Sequence, residues 1–93
     1  MSDLRNSPGL RIFQKLIDAS YNVEFNDLYI PVVKYKKKNH LSIQISQKNI
    51  KKYKAIILLT DHDYINKSLV SKNAKLLIDT RNVFPSNSNV IYL

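Results

Sequence analysis

The chain has 93 residues, of which 44% are hydrophobic and 24% charged, and this length and composition predict one small globular domain with no room for a second. It has no cysteine and no apolar run near the ~20 residues of a membrane span, which excludes disulfides, thiol nucleophiles and a transmembrane helix, so we expect a soluble, cytoplasmic protein. The two histidines, His40 and His62, lie far apart without a carboxylate-rich neighbourhood, and we therefore expect no metal site.

The formal net charge of +8 raises the question of nucleic-acid binding. Much of the excess is lysine, which solvates exposed faces and protects strand edges. Arginine, which reads bases and phosphates best, occurs three times. We expect a solvated face rather than a nucleic-acid surface, and a basic nucleic-acid binder stays as the lesser alternative. The lysines in question are Lys34, Lys36, Lys37, Lys38, Lys48, Lys51, Lys52 and Lys54.

The first element is a predicted helix over residues 8–20. Its N-cap is Ser7, and Pro8 occupies the first helical position, where a missing N–H costs nothing. The apolar residues at helical spacing are Leu10, Phe13, Leu16 and Ile17. Residues 23–26 follow as a short predicted strand, and residues 29–31 as a loop.

The middle of the chain has a mixed pattern. In residues 32–46, apolar residues alternate with other residues on both sides of the lysine run. A lysine-tipped hairpin and a long loop with one edge strand therefore fit the pattern equally well. Residues 47–53 predict a short helix capped by Ser46, with Ile50 and Tyr53 facing inward.

The C-terminal half contains two unbroken apolar strands. Residues 55–59 predict a strand covered on both faces, as in a parallel sheet, and residues 75–79 predict a second. Between them lies a predicted helix over residues 64–72, with Ile65, Leu69 and Val70 facing inward. Thr60 or Asp61 either caps that helix or contacts a ligand. A turn over residues 79–82, a loop over 85–89 and a strand over 90–93 complete the chain.

Strands that alternate with helices at this spacing predict an α/β sandwich with a mostly parallel sheet. Gly9 is the one glycine of the sequence, so the glycine-rich phosphate loops of nucleotide-binding folds are absent. Arg81 follows the second apolar strand. Ligands of open parallel sheets bind just beyond the carboxyl ends of strands, so Arg81 stands where an anion could bind, although an arginine that closes a solvated turn explains it as well.

Four segments follow one another in a fixed order along the chain. The segments are Asp3-Leu4-Arg5-Asn6-Ser7-Pro8, Tyr29-Ile30-Pro31, Thr60-Asp61-His62 and Asp79-Thr80-Arg81-Asn82-Val83-Phe84. This order resembles the C-terminal, UDP-binding domain of the UDP-glucose/GDP-mannose dehydrogenase family, and the last two segments are similar especially to the branch that oxidises UDP-N-acetylhexosamines.

The resemblance implies a three-layer Rossmann-like sandwich whose first, central strand is missing, so that residues 1–93 form a single UDP-sugar-binding domain truncated on its N-terminal side. Enzymes of the family oxidise the sugar C6 alcohol in two NAD-dependent steps and supply polysaccharide precursors. By the same resemblance, Arg81 contacts the diphosphate of the UDP-sugar substrate. Arg5 reaches toward the cofactor site, in a neighbouring subunit.

The departures from the family limit what we expect of this chain. The family's catalytic cysteine and cofactor fingerprint lie in domains outside this sequence, which has no cysteine and one glycine. We therefore expect a UDP-sugar-binding domain with no catalytic residue of its own and with NAD bound only in the full-length enzyme. Its expected partners are the missing domains or a neighbouring subunit in a homo-oligomer. The alternative is a module that has lost its ligand and associates with itself or with a partner.

Overall fold

The structure is a computed structural model that describes residues 8–93. These residues contain three helices and five strands, numbered here in chain order. They divide into two compact units, Met1–Gln44, described from residue 8 onward, and Ile45–Leu93. The elements are α1 (Pro8–Asp18), β1 (Val32–Tyr35), β2 (Lys38–Leu41), α2 (Gln47–Lys52), β3 (Ile56–Leu58), α3 (Lys67–Asn73), β4 (Leu77–Asp79) and β5 (Val90–Tyr92).

Helix α1 confirms the first predicted helix and ends two residues earlier than expected. Ser20 has a left-handed backbone, with φ of 70°. Its N–H donates to the carbonyl of Ile17 at 2.9 Å, and the N–H of Tyr21 donates to that of Leu16 at 3.1 Å. This pair of hydrogen bonds is a Schellman motif, which terminates the helix. The predicted cap, Ser7, lies outside the described residues.

Phe13 is the buried centre of the first unit. Its ring meets Phe25 edge to face, with centroids 5.4 Å apart, and meets His40 in the same way at 5.1 Å. Val33 of β1 is also buried. The inward face of α1 thus contributes to a small aromatic core, as the helical spacing of its apolar residues predicted.

Strands β1 and β2 form an antiparallel hairpin, which decides between the two interpretations of residues 32–46. The turn is tighter than a four-residue lysine tip. Lys36 and Lys37 alone connect the strands, with φ of 50° and 64°, and positive φ at both central residues is the signature of a type I′ turn. Strand pairing begins again at Lys38.

The predicted strand over residues 23–26 is wrong. This segment belongs to no strand, and the carbonyl of Phe25 accepts one backbone hydrogen bond from the N–H of Ile43, at 2.9 Å. Asn26 contributes a side-chain hydrogen bond from Nδ2 to the Ile43 carbonyl at 2.6 Å. One backbone hydrogen bond does not make a ladder, and a segment outside a sheet can show the same alternation of apolar and polar residues as a strand.

The second unit contains a parallel sheet with the strand order β3-β4-β5. This confirms the predicted α/β fold with a mostly parallel sheet. All three strands are shorter than the predicted ranges 55–59, 75–79 and 90–93. Leu58 and Leu77 lie on one face of the sheet, where they pack with residues from α2 and α3. The buried core of this unit is Ile50, Leu58, Val70, Ala74, Leu77 and Phe84.

The opposite face of this sheet carries a row of three isoleucines, Ile57, Ile78 and Ile91, which are register partners. In this isoleucine row, Ile57 is 38% exposed and Ile91 46% exposed. The expectation that residues 55–59 are covered on both faces is therefore wrong for Ile57. The side chains that α2 and α3 bury pack on the Leu77 face instead.

The caps of α2 and α3 differ in how well they were predicted. Ser46 caps α2 as expected, accepting from the N–H of Asn49 at 3.1 Å. Helix α3 is capped by Asn66, which accepts from the N–H of Leu69 at 3.0 Å, so capping, one of the two roles left open for Thr60 or Asp61, is wrong. The helix begins at Lys67 and not at residue 64 as predicted, because a turn over residues 62–65 precedes it.

No helix in the part of the chain described is both long enough and apolar enough to cross a bilayer.

Candidate functional site

The loops that follow β3 and β4 begin side by side. Thr80 donates from its backbone N–H to the carbonyl of Leu58 at 3.3 Å, and its hydroxyl donates to the same oxygen at 2.5 Å. Because β3 and β4 are parallel, both loops leave the sheet at its carboxyl edge. This edge is where parallel α/β sheets hold ligands.

Asp79, the last residue of β4, organises the loop that follows it. Its side chain is completely buried, with 0% exposure. One carboxylate oxygen accepts from the N–H groups of Arg81 and Asn82, at 2.9 and 2.8 Å. The other accepts from Val83 and Phe84, both at 2.8 Å. We call residues 79–84 the Asp79 turn, since one carboxylate fixes four consecutive peptide units.

The protonation state of Asp79 follows from two opposed effects. Burial raises the pKa of the carboxyl, because the charged form loses its water. The backbone N–H groups of residues 81–84 act against burial, and together they hold the pKa of Asp79 below its ordinary value of 3.8. The group is therefore a carboxylate at neutral pH, with its charge taken up by backbone donors.

Two further contacts close the Asp79 turn. Asn82 has a left-handed backbone with φ of 58°, a conformation that asparagine tolerates better than most residues. The Tyr92 hydroxyl donates to the carbonyl of Phe84 at 2.7 Å, and the N–H of Leu93 donates to the carbonyl of Asp79 at 3.2 Å. Tyr92 of β5 and Leu93, the residue after it, thus bind the two ends of the turn.

Arg81 is held by its backbone, while its side chain is exposed. Among residues 8–93, no carboxylate forms an ion pair with its guanidinium. The sequence predicted an arginine just beyond a strand end, and the structure places Arg81 there. Arg5, the other predicted site residue, lies outside the described residues.

The loop after β3 brings charged and aromatic groups to the same edge of the sheet. The carboxylate of Asp61 lies 2.8 Å from the ammonium of Lys67. The rings of His62 and Tyr64 stack, with centroids 5.1 Å apart and planes 17° from parallel. The N–H of Ile65 donates to the carbonyl of His62 at 3.1 Å, which closes a turn that holds both rings.

From the sequence, Asp79 is predicted only as one residue of a turn, and its role in fixing the loop was not predicted. A signal was available, because aspartate side chains often accept from backbone N–H groups two or more residues further on. Chemically, the arrangement fixes the backbone that carries one exposed guanidinium beside a strand end. Such a group binds carboxylate or phosphate oxygens, often with two hydrogen bonds at once.

Comparison with known proteins gives one family. The family model described as "UDP-glucose/GDP-mannose dehydrogenase family, UDP binding domain" matches residues 1–86, a range that includes the Asp79 turn. No curated protein and no solved structure matches the chain significantly.

Proposed function

We propose that this chain, which belongs to the UDP-glucose/GDP-mannose dehydrogenase family as its UDP-binding domain, binds the diphosphate of a UDP-sugar through Arg81. The observation that carries this proposal is the Asp79 turn. Its four backbone hydrogen bonds to one buried carboxylate fix the peptide unit of Arg81. Positioning before the ligand arrives lowers the entropic cost of binding.

The choice of an anionic ligand is supported by the charge around Arg81. Its guanidinium is exposed, and no described carboxylate pairs with it. Asp79 carries the nearest charge along the chain, but backbone donors already satisfy that carboxylate. A diphosphate offers oxygens that match the planar fork of a guanidinium.

We further propose that the sugar is a UDP-N-acetylhexosamine and that the whole enzyme is an NAD-dependent 6-dehydrogenase of polysaccharide precursor synthesis. The sequence forms of residues 60–62 and 79–84 support this branch of the family. We assign NAD to the rest of that enzyme, because Gly9 is the one glycine here and no glycine-rich phosphate loop is present. Arg5 remains a proposed contact toward the cofactor site of a neighbouring subunit.

Calorimetric titration with UDP and with UDP-N-acetylglucosamine tests the role of Arg81. We expect Arg81→Ala to weaken UDP binding by about 10- to 100-fold, because a charge-assisted hydrogen bond contributes roughly 1.5–3 kcal/mol. Arg81→Lys should recover only part of the loss, since an ammonium lacks the planar fork.

The matched control is Arg11→Ala, which removes an exposed arginine from α1 and should leave the affinity unchanged. Equal heats for wild type and Arg81→Ala would exclude Arg81 from the site. No heat with wild type would reject the binding function itself. Turnover of a UDP-sugar with NAD by this chain would contradict the assignment of catalysis to other domains.

A second candidate function is self-association, and the exposed isoleucine row favours it. Contiguous apolar side chains on a sheet face are a common feature of contacts between proteins. Ile57 and Ile91 belong to the same row and are both exposed by more than a third.

A further inference from the structure

We propose that a cleft between the end of α1 and the β1-β2 hairpin binds a small aromatic carboxylate, whose carboxylate group contacts the ammonium of Lys38. This hairpin cleft belongs to the first unit, whereas Arg81 belongs to the second, so the inference goes beyond the proposed function. The volume of the hairpin cleft is about 180 Å³. The residues that line it include Ile17, Tyr21, Val23, Tyr35, Lys38 and His40.

The first support is the face of the hairpin on which Lys38 lies. The strand register pairs Tyr35 with Lys38, and alternate residues of a strand share one face. Lys38 therefore lies on the same face as His40. The ring of His40 contacts Phe13 of α1, with centroids 5.1 Å apart, so this face is turned toward the helix. Lys34, which precedes Tyr35 in β1, lies on the opposite face.

The second support is the positive charge of the hairpin cleft. Two lysines and no acidic residue line it. The ammonium of Lys36 lies 2.7 Å from the carboxylate of Asp18, so these two charges offset each other. Among residues 8–93, the ammonium of Lys38 forms no ion pair. An anion is therefore the ligand that complements the charge of the cleft.

Two further donors line the hairpin cleft with Lys38. They are the side-chain amide of Asn22 and the imidazole of His40. Neither side chain donates a hydrogen bond to a described residue. An amide N–H and an imidazole N–H both donate to carboxylate oxygens. A carboxylate beside Lys38 would thus have more than one donor within the same cleft.

The third support is the size and the apolar wall of the hairpin cleft. Ile17 and Val23 are partly buried apolar residues that line it, and the ring of Tyr21 adds a flat surface. A cavity of about 150 Å³ with apolar walls accepts one benzene molecule. A cleft of about 180 Å³ therefore suits one six-membered ring with a small substituent. A ring that carries a carboxylate satisfies both the wall and Lys38.

One effect opposes an anion at this position. The C-terminal end of α1 is the negative end of its helix dipole. The carbonyls of Leu16 and Ile17 already accept the hydrogen bonds of the Schellman motif. A helix end carries about half an elementary charge, which is less than the full charge of Lys38. The ammonium therefore decides the sign of the ligand.

The test is an NMR titration of the isotope-labelled chain with benzoate and with its uncharged analogue, benzamide. We expect backbone amide shifts at Lys38 and His40, and an affinity for benzoate at least about 5-fold higher than for benzamide. Lys38→Met keeps an apolar stem and removes the charge. It should weaken benzoate binding by a similar factor and leave benzamide binding unchanged. The matched control, Lys34→Met, should bind benzoate as wild type does.

Three results would each overturn the proposal. The first is the absence of shifts at Lys38 and His40 at high benzoate concentration. The second is equal affinity of wild type for benzoate and benzamide, a comparison that does not depend on the folding of any variant. The third is loss of benzoate binding in Arg81→Ala, which would place the carboxylate at Arg81 and not in the hairpin cleft.

Discussion

Asp79 combines two properties that are rarely compatible, complete burial and a full negative charge. An isolated buried carboxylate would neutralise itself by taking up a proton. Here four backbone N–H groups replace the lost water, and the group keeps its charge. The same hydrogen bonds fix the backbone on which Arg81 is carried. The carboxylate therefore contributes to stability and positions the proposed ligand-binding side chain.

We expect Asp79→Asn to lower the free energy of unfolding by roughly 2–4 kcal/mol at pH 7. The amide keeps one acceptor oxygen and turns two N–H donors toward backbone donors that need an acceptor. Urea denaturation of both proteins measures the difference. Asp63→Asn, which changes an exposed aspartate in the other loop, is the control and should cost almost nothing. A loss below about 1 kcal/mol for Asp79→Asn would show that the turn does not depend on the charge.

The difference between wild type and Asp79→Asn should also depend on pH. The pKa of Asp79 in the folded protein lies below its ordinary value of 3.8, so the folded state holds the proton less tightly than the unfolded chain. The stabilisation is therefore fully present above that ordinary value and is lost as the pH falls through the lower, folded-state pKa. Urea denaturation at a series of pH values should show the two proteins converging in acid. A difference that stays constant would contradict this account.

Among the elements, the β1-β2 hairpin has the most unusual turn. Both of its central residues are lysines with positive φ, a conformation that costs a residue with a Cβ roughly 1–2 kcal/mol. Lys36 recovers part of this cost, since its ammonium lies 2.7 Å from the carboxylate of Asp18 at the end of α1. The Tyr35 hydroxyl donates to the same carboxylate, at 2.8 Å to one oxygen.

Lys37 has no described ion pair that would offset its conformation. We expect Lys37→Gly to raise the free energy of unfolding by roughly 0.5–1 kcal/mol, because glycine adopts positive φ without a steric penalty. The matched control is Lys38→Gly, one residue further on in β2, which should be destabilising because glycine weakens a strand. Urea denaturation measures both, and equal effects of the two substitutions would contradict the assigned turn.

How far each element was predictable from sequence depends on whether its cause is local. Helix α1, the cap at Ser46 and the two apolar strands β3 and β4 follow from periodicity and capping chemistry, and the prediction located them within a few residues. The hairpin turn lacks the usual Asn-Gly or Asp-Gly signal, so two interpretations stayed open. A strand at residues 23–26 requires a partner strand, and the local sequence pattern cannot show whether a partner is present.

The site was predictable in outline for a similar reason. An arginine just past an apolar strand identified the position of Arg81. The Asp79 turn and the stacked rings of His62 and Tyr64 depend on contacts that form only in the fold, and sequence spacing did not reveal them. Asn66 caps α3 because a turn over residues 62–65 precedes the helix. The capping preferences of single residue types could not identify the right cap from sequence.

At the scale of the whole molecule, the net charge of +8 opposes contact between copies of the chain. If the isoleucine row drives self-association, salt should strengthen it by screening this repulsion. Sedimentation velocity at about 0.01 M and about 0.1 M ionic strength spans Debye lengths of about 30 Å and about 10 Å. We expect a larger average mass at the higher salt concentration, and Ile91→Ser should abolish the increase.

Leu41→Ser is the control for the association experiment, since Leu41 is a more exposed apolar residue that lies in the hairpin and outside the isoleucine row. It should leave the average mass unchanged. A monomeric mass at every protein and salt concentration would exclude self-association, the second candidate function. UDP binding should respond to salt in the opposite direction, because screening weakens the attraction between Arg81 and phosphate.

The hydrogen bonds of Tyr92 and Leu93 to the two ends of the Asp79 turn have a practical consequence. Tyr92 and Leu93 secure a loop that begins more than ten positions earlier, so loss of these two residues would release the carbonyls of Asp79 and Phe84. We therefore expect removal of Tyr92 and Leu93 to weaken ligand binding, although neither residue is a proposed ligand contact.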